Sequence, residues 1–165
     1  MSSRRLTIEV DWRVRGDSSV AAVLRRAARH AAASERFRSG ELAIVVVGRR
    51  AMARLHERHR GQRSATDVLT FDLGTDRRRR LIEGDIVVCA DVAARRARGG
   101  AGARSRRALR AELALYVVHG VLHLAGYDDH DPAGFRRMHA REDALLAELG
   151  LGRVFAEGAG VRGNG

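Results

Sequence analysis

The run LAIVVV, Leu42 to Val47, constrains the fold of this chain more than any other stretch. Its six residues are all apolar and mostly β-branched, so they have no polar face to turn to water. The length is that of a strand covered on both sides. A central strand of this kind needs neighbours in a sheet and helices to cover it. Before it, Leu6, Ile8 and Val10 alternate with Thr7, Glu9 and Asp11, the period of a half-buried strand. After it, Val68 to Leu73 and Asp85 to Cys89 read as two further strands.

Helical spacing fills the intervals. Ser18 to Ala33 suits an amphipathic helix with Asp17, Ser18 or Ser19 as the N-cap. Arg49 to Arg60 carries Met52, Leu55 and His59 at three- and four-residue steps and is closed by Gly61. A short helix is expected over Asp91 to Arg98, followed by a linker of Gly, Ala and Arg reaching Arg104. From a cap at Ser105, the positions Leu109, Leu113, Val117, Gly120 and Leu124 repeat helically up to Gly126. Asp131 and Pro132 then start a last helix that runs to about Leu149. The expected class is α/β (α+β), a small mixed sheet of about four strands covered by about five helices.

A chain of 165 residues makes one domain, expected over residues 1–150. A C-terminal tail over 151–165, where periodicity and apolar content fall away, is expected to be disordered. Cys89 is the only cysteine, which excludes a disulfide scaffold and fits a reducing, cytoplasmic setting. The N-terminus lacks the apolar stretch of a signal peptide, and no apolar run has the length of a membrane span, so no membrane partner is expected. With 31 basic and 20 acidic side chains the formal net charge is +11. All the basic residues are arginine, a bias that a GC-rich genome produces without any function. The field still favours polyanions, nucleic acid first among them. The run Arg77, Arg78, Arg79, Arg80 is either a solvated loop or a set of phosphate contacts. Only 4% of residues are aromatic, so recognition through backbone and phosphate is expected over base stacking.

The densest chemistry is HGVLHLAGYDDH, His119 to His130. His119 and His123 are one helical turn apart and share a face, within reach of one ion. Gly126 lets the chain leave the helix in a left-handed turn, and Asp129 and His130 follow on the returning segment. Either could be a third ligand. Three protein ligands with an open fourth position make a catalytic zinc site, and imidazole nitrogen suits zinc. Zinc peptidases of the H-E-x-x-H class place a glutamate directly after the first histidine, where this chain has Gly120. Glu112, seven residues before His119, could orient an imidazole; His30, His56, His59 and His139 are read as non-ligands.

These residues resemble the YbeY endoribonucleases, metal-dependent bacterial factors of ribosomal RNA maturation. The likeness rests on HGVLHLAGYDDH, on Ala133, Met138 and Glu142 in an A-x4-M-x3-E pattern, on Arg60 with TDVLTF (Thr66 to Phe71), and on EGDIVVC (Glu83 to Cys89). It implies a zincin-like fold, one zinc ion per chain, and single-strand-specific endonucleolytic cleavage of RNA in ribosomal RNA processing and ribosome quality control. It implies His119 and His123 as ligands, with His119 part of the catalytic centre. The family pattern GYDH is one residue longer here, GYDDH, so the third ligand is His130, if the turn absorbs an insertion, or Asp129, which stands in the usual place. His130 is the expected one, because it completes a three-histidine set. Arg60 matches the family's arginine and is expected to hold a phosphate at the scissile bond. RNA and the ribosome are the implied partners.

Overall fold

The computed structural model describes residues 5–61, 66–97 and 103–152. In chain order the elements are β1 (Thr7–Trp12), α1 (Val20–Ser34), β2 (Ser39–Val47), α2 (Arg49–Arg60), β3 (Val68–Asp72), β4 (Leu81–Cys89), α3 (Ala90–Arg96), α4 (Ala103–Leu124) and α5 (Pro132–Glu148). The strands form one sheet in the order β1-β2-β4-β3. β1, β2 and β4 run parallel, and β3 lies antiparallel to β4 at the edge. This is the mixed four-stranded sheet with five helices that the hydrophobic pattern predicts.

Leu42, Ile44 and Val46 of β2 join Ile82 and Ile86 of β4 beneath α1, α4 and α5 in the main core. A smaller cluster on the other face packs Val47, Leu69, Val87 and Cys89 against Met52 of α2 and Val92 of α3. That second cover reaches only the C-terminal ends of the parallel strands. Ala43 and Val45 are therefore half-buried, and LAIVVV is fully covered on one face instead of two.

Three other expectations shift. α4 begins at Ala103, so Ser105 lies inside the helix. The linker expected before it falls largely on residues 98–102, outside the described residues, as does the tail from 153 onward. Leu151, placed in the tail by the sequence, instead packs on the main core and donates its backbone N–H to the Leu146 carbonyl at 2.9 Å. In the arginine run, Arg77 turns inward, donating to the carbonyl of Ala125 at the end of α4 and lying 6.0 Å over the Phe37 ring. A cation at a helix C-terminus meets both an orphan carbonyl and the negative end of the dipole. All four arginines of the run, Arg77 included, remain exposed overall. No helix among the described residues is long and apolar enough to cross a membrane.

α4 positions the site. From Ala111 to Ala125 every residue is buried except His119 and His123. Their four-residue spacing puts both imidazoles on the strip of that stretch left open, facing the edge strand β3.

Candidate metal centre

The two histidines are held alike. His119 hydrogen-bonds through Nδ1 to Glu142 Oε1 at 2.6 Å, and His123 through Nδ1 to the Tyr127 carbonyl at 3.1 Å. The Nε2 atoms face each other at 2.9 Å, with the rings edge to face. Two imidazoles on a tetrahedral zinc, each at the usual bond length, hold their nitrogens about 3.3 Å apart, so the pair needs only a slight opening to take an ion.

Gly126 adopts a φ of 100° and ends α4, returning the chain toward the histidines. The Tyr127 hydroxyl donates to Glu35 Oε1 at 3.2 Å, and Arg141 Nε donates to the same oxygen at 2.9 Å, which ties this loop to α1 and α5. Asp129 then lies beside the pair, Oδ2 at 4.0 Å from His119 Nε2 and Oδ1 at 3.8 Å from His123 Nε2. The donor atoms of His119, His123 and Asp129 all fall within 4.8 Å of one another.

His130, the expected third ligand, is not brought to the pair. Asp128 Oδ1 accepts both the His130 backbone N–H, at 3.0 Å, and its ring Nδ1, which turns the imidazole outward to 82% exposure. Successive side chains of a non-helical segment project to opposite sides, so Asp129 inward means His130 outward. His130 still lines the rim of the same cleft.

The cleft has two walls. His119, His123, Leu124 and His130 form one; Arg60 from the end of α2 and Val68, Thr70 and Asp72 from β3 form the other. Arg60 thus lines the same cleft as the histidines. Gly61 ends α2 at a φ of 67°, its N–H bonded to the Glu57 carbonyl at 2.9 Å. Asp67, by contrast, is a capping group, accepting the Val68 N–H at 2.9 Å and pairing with Arg96 at 2.8 Å.

Glu142 is the residue that the sequence reading places only in a pattern. It is fully buried, with Oε1 on His119 and Oε2 accepting from His139 Nδ1 at 2.7 Å. Glu112, the expected orienter, is buried beside Tyr116 and Arg96 instead. It shares the face of His119, but seven residues of helix rise about 10 Å, which is beyond side-chain reach.

Burial raises the cost of ionising Glu142, and the hydrogen bonds from His119 and His139 outweigh it, holding the carboxyl below its ordinary range. Burial likewise opposes charge on His119, yet the Glu142 hydrogen bond holds that imidazole above its ordinary value. His123 is pushed down, by burial and then by the charge of His119.

Gly120 follows His119 and is buried against β4, where an added Cβ would meet Ile86 Cγ2 at 2.8 Å. No side chain fits there, so the chain has neither the peptidase glutamate nor room for it.

The sequence profile of the family described as Endoribonuclease YbeY matches residues 8–150. An Endoribonuclease YbeY from Anaeromyxobacter sp. is 42% identical over 149 residues, 90% of this chain and 74% of that one. Another from Bordetella pertussis is 42% identical over 111 residues, 67% of each. The solution structure of TM1509 from Thermotoga maritima superposes with a TM-score of 0.56 at 24% identity, covering 86% of this chain and 90% of that one, and shares the fold. With its profile matched from the first strand to the end of the last helix, the chain belongs to the YbeY endoribonuclease family.

Proposed function

We propose that the chain is a zinc-dependent endoribonuclease that cuts single-stranded RNA in ribosomal RNA maturation and ribosome quality control, as one metallohydrolase domain over residues 1–150 working in the cytoplasm. The observation that carries this reading is the convergence of His119 Nε2, His123 Nε2 and the Asp129 carboxylate across a cleft from Arg60. Two imidazole nitrogens and a carboxylate are a donor set suited to one zinc ion, with a coordination position left for substrate or water. His119, His123 and Asp129 would hold it, with His130 at the rim. When bound, the ion supplies Lewis acidity for the phosphodiester and makes water more acidic.

The chain's own residues supply the rest. Arg60 presents a planar, permanently charged fork that pairs with two phosphate oxygens and stabilises the charge that grows as the phosphodiester is attacked. The exposed arginines and a net charge of +11 draw a polyanion to the cleft. Val68, Thr70 and Asp72 of edge strand β3 line the cleft beside the histidines. The packing of Gly120 on Ile86 counts against a peptidase.

The test is cleavage of matched single-stranded and duplex ribosomal RNA fragments by zinc-loaded protein, with analysis of the new ends. Internal cuts confined to the single strand support the proposal. Intact RNA in the presence of ribosomal subunits, with the zinc site filled, contradicts it.

A further inference from the structure

We infer that Glu142 is a positioning residue for the metal centre, fixing the proton of His119 on Nδ1 so that Nε2 faces the ion as a lone pair, and that His139 holds Glu142 in that role. The inference rests on the reading of His119 as a metal ligand and adds the group on α5 that makes it one.

Three observations carry it. Glu142 is a fully buried carboxylate, a placement that is unfavourable unless both oxygens are hydrogen-bonded. Both are: Oε1 meets His119 Nδ1 at 2.6 Å and Oε2 meets His139 Nδ1 at 2.7 Å. An ionised carboxylate only accepts, so each imidazole must donate from Nδ1. A neutral imidazole carries one ring proton, so placing it on Nδ1 leaves Nε2 free for a cation. The adjacent negative charge also makes that lone pair more basic.

His139 has a defined part in this. It lies one helical turn after Phe135, whose ring meets it edge to face at a centroid distance of 3.9 Å. Its imidazole donates to the second oxygen of Glu142. Without that bond this buried oxygen would lose its donor, and the carboxylate could rotate away from His119. His123 needs no such device, since its Nδ1 donates to the backbone carbonyl of Tyr127 at 3.1 Å.

Glu142→Gln tests the inference with little change of volume. The amide can accept from one histidine but presents N–H to the other. Where that other is His119, its proton moves to Nε2 and blocks the ion. Zinc affinity, read by chelator competition and independent of any activity, should weaken by about 10- to 100-fold. His139→Leu should weaken it less, and His30→Asn, at an exposed pair with Glu148 remote from the cleft, should leave it unchanged. A purely structural glutamate would lower Tm without changing the zinc affinity of the folded protein.

A second measurement needs no variant: ring-nitrogen NMR of metal-free wild-type protein in mildly alkaline buffer should place the His119 proton on Nδ1. Finding it on Nε2 overturns the inference, as does a folded Glu142→Gln protein that binds zinc as tightly as wild type. Wild-type protein that takes up no zinc overturns the metal centre itself. Zinc bound as expected but RNA left intact overturns the proposed function and leaves the role of Glu142 standing.

Discussion

The Nε2 atoms of His119 and His123 lie 2.9 Å apart on the open strip of the otherwise buried stretch Ala111 to Ala125. When both rings are neutral and donate from Nδ1, these two atoms present facing lone pairs, which a cation between them relieves. A ligand that binds only the folded state stabilises it by mass action, about 2.7 kcal/mol at a free concentration of one hundred times Kd. For a chain of this size that corresponds to a rise of roughly 5–10 °C in Tm. Calorimetry with and without zinc measures it, and a chelator should reverse the rise. An unchanged Tm at saturating zinc would contradict a shared ion.

Asp129 and His130 are neighbours with opposite orientations, and their substitutions should separate. Asp129→Ala removes a group that faces both imidazoles, so zinc affinity should fall by more than the roughly 10- to 100-fold typical of an outer partner. His130→Ala removes a side chain paired with Asp128 at the rim, and affinity should change little. Competition titrations of the two variants decide it; the reverse ranking would place the imidazole of His130 on the metal.

Arg60 should matter for turnover and not for the ion. Arg60→Ala is expected to lower kcat/KM on RNA by about 100- to 1,000-fold, the usual cost of removing one preorganised charge from a transition state. Arg60→Lys should recover only part of this, because an ammonium cannot pair two oxygens at once. Zinc affinity should stay at the wild-type value in both. A change in it would mean that Arg60 supports the fold of the cleft.

Gly120→Ala forces a methyl group into fully buried Ile86, which has nowhere to move. Overpacking of this kind costs about 1–3 kcal/mol, so Tm should drop by several degrees. The same shift moves His119 off the sheet, and zinc affinity should weaken with it. Thermal unfolding of the metal-free variant separates the two effects.

Much of this was legible in the sequence because it rests on local rules. Period-two alternation marked β1, the unbroken apolar run marked β2, and 3.6-residue periodicity marked the longer helices, while the four-residue step between His119 and His123 placed both on one face; the first half of β4, from Leu81, went unmarked. Asp131 and Pro132 marked the start of α5, where the Asp131 side chain accepts from the Gly134 N–H at 2.5 Å. What stayed hidden depends on contacts between distant elements. Glu142 reaches His119 from another helix, 23 positions away, and no helical spacing reports that distance. The choice between Asp129 and His130 turns on one residue of register in a loop, set by the hydrogen bonds that Asp128 accepts from His130. The uneven cover of LAIVVV depends on where α2 and α3 end on the sheet, which a strand's own residues do not encode.

Cleavage of a structured ribosomal RNA fragment by metal-stripped protein, before and after zinc is restored, tests most directly that His119 and its neighbours form a metal-dependent ribonuclease centre. His119→Ala, purified in parallel, exposes any contaminating nuclease. Cutting that appears only with zinc and only in the wild type is the expected result. Equal cutting by both proteins, or by the stripped protein alone, would contradict it.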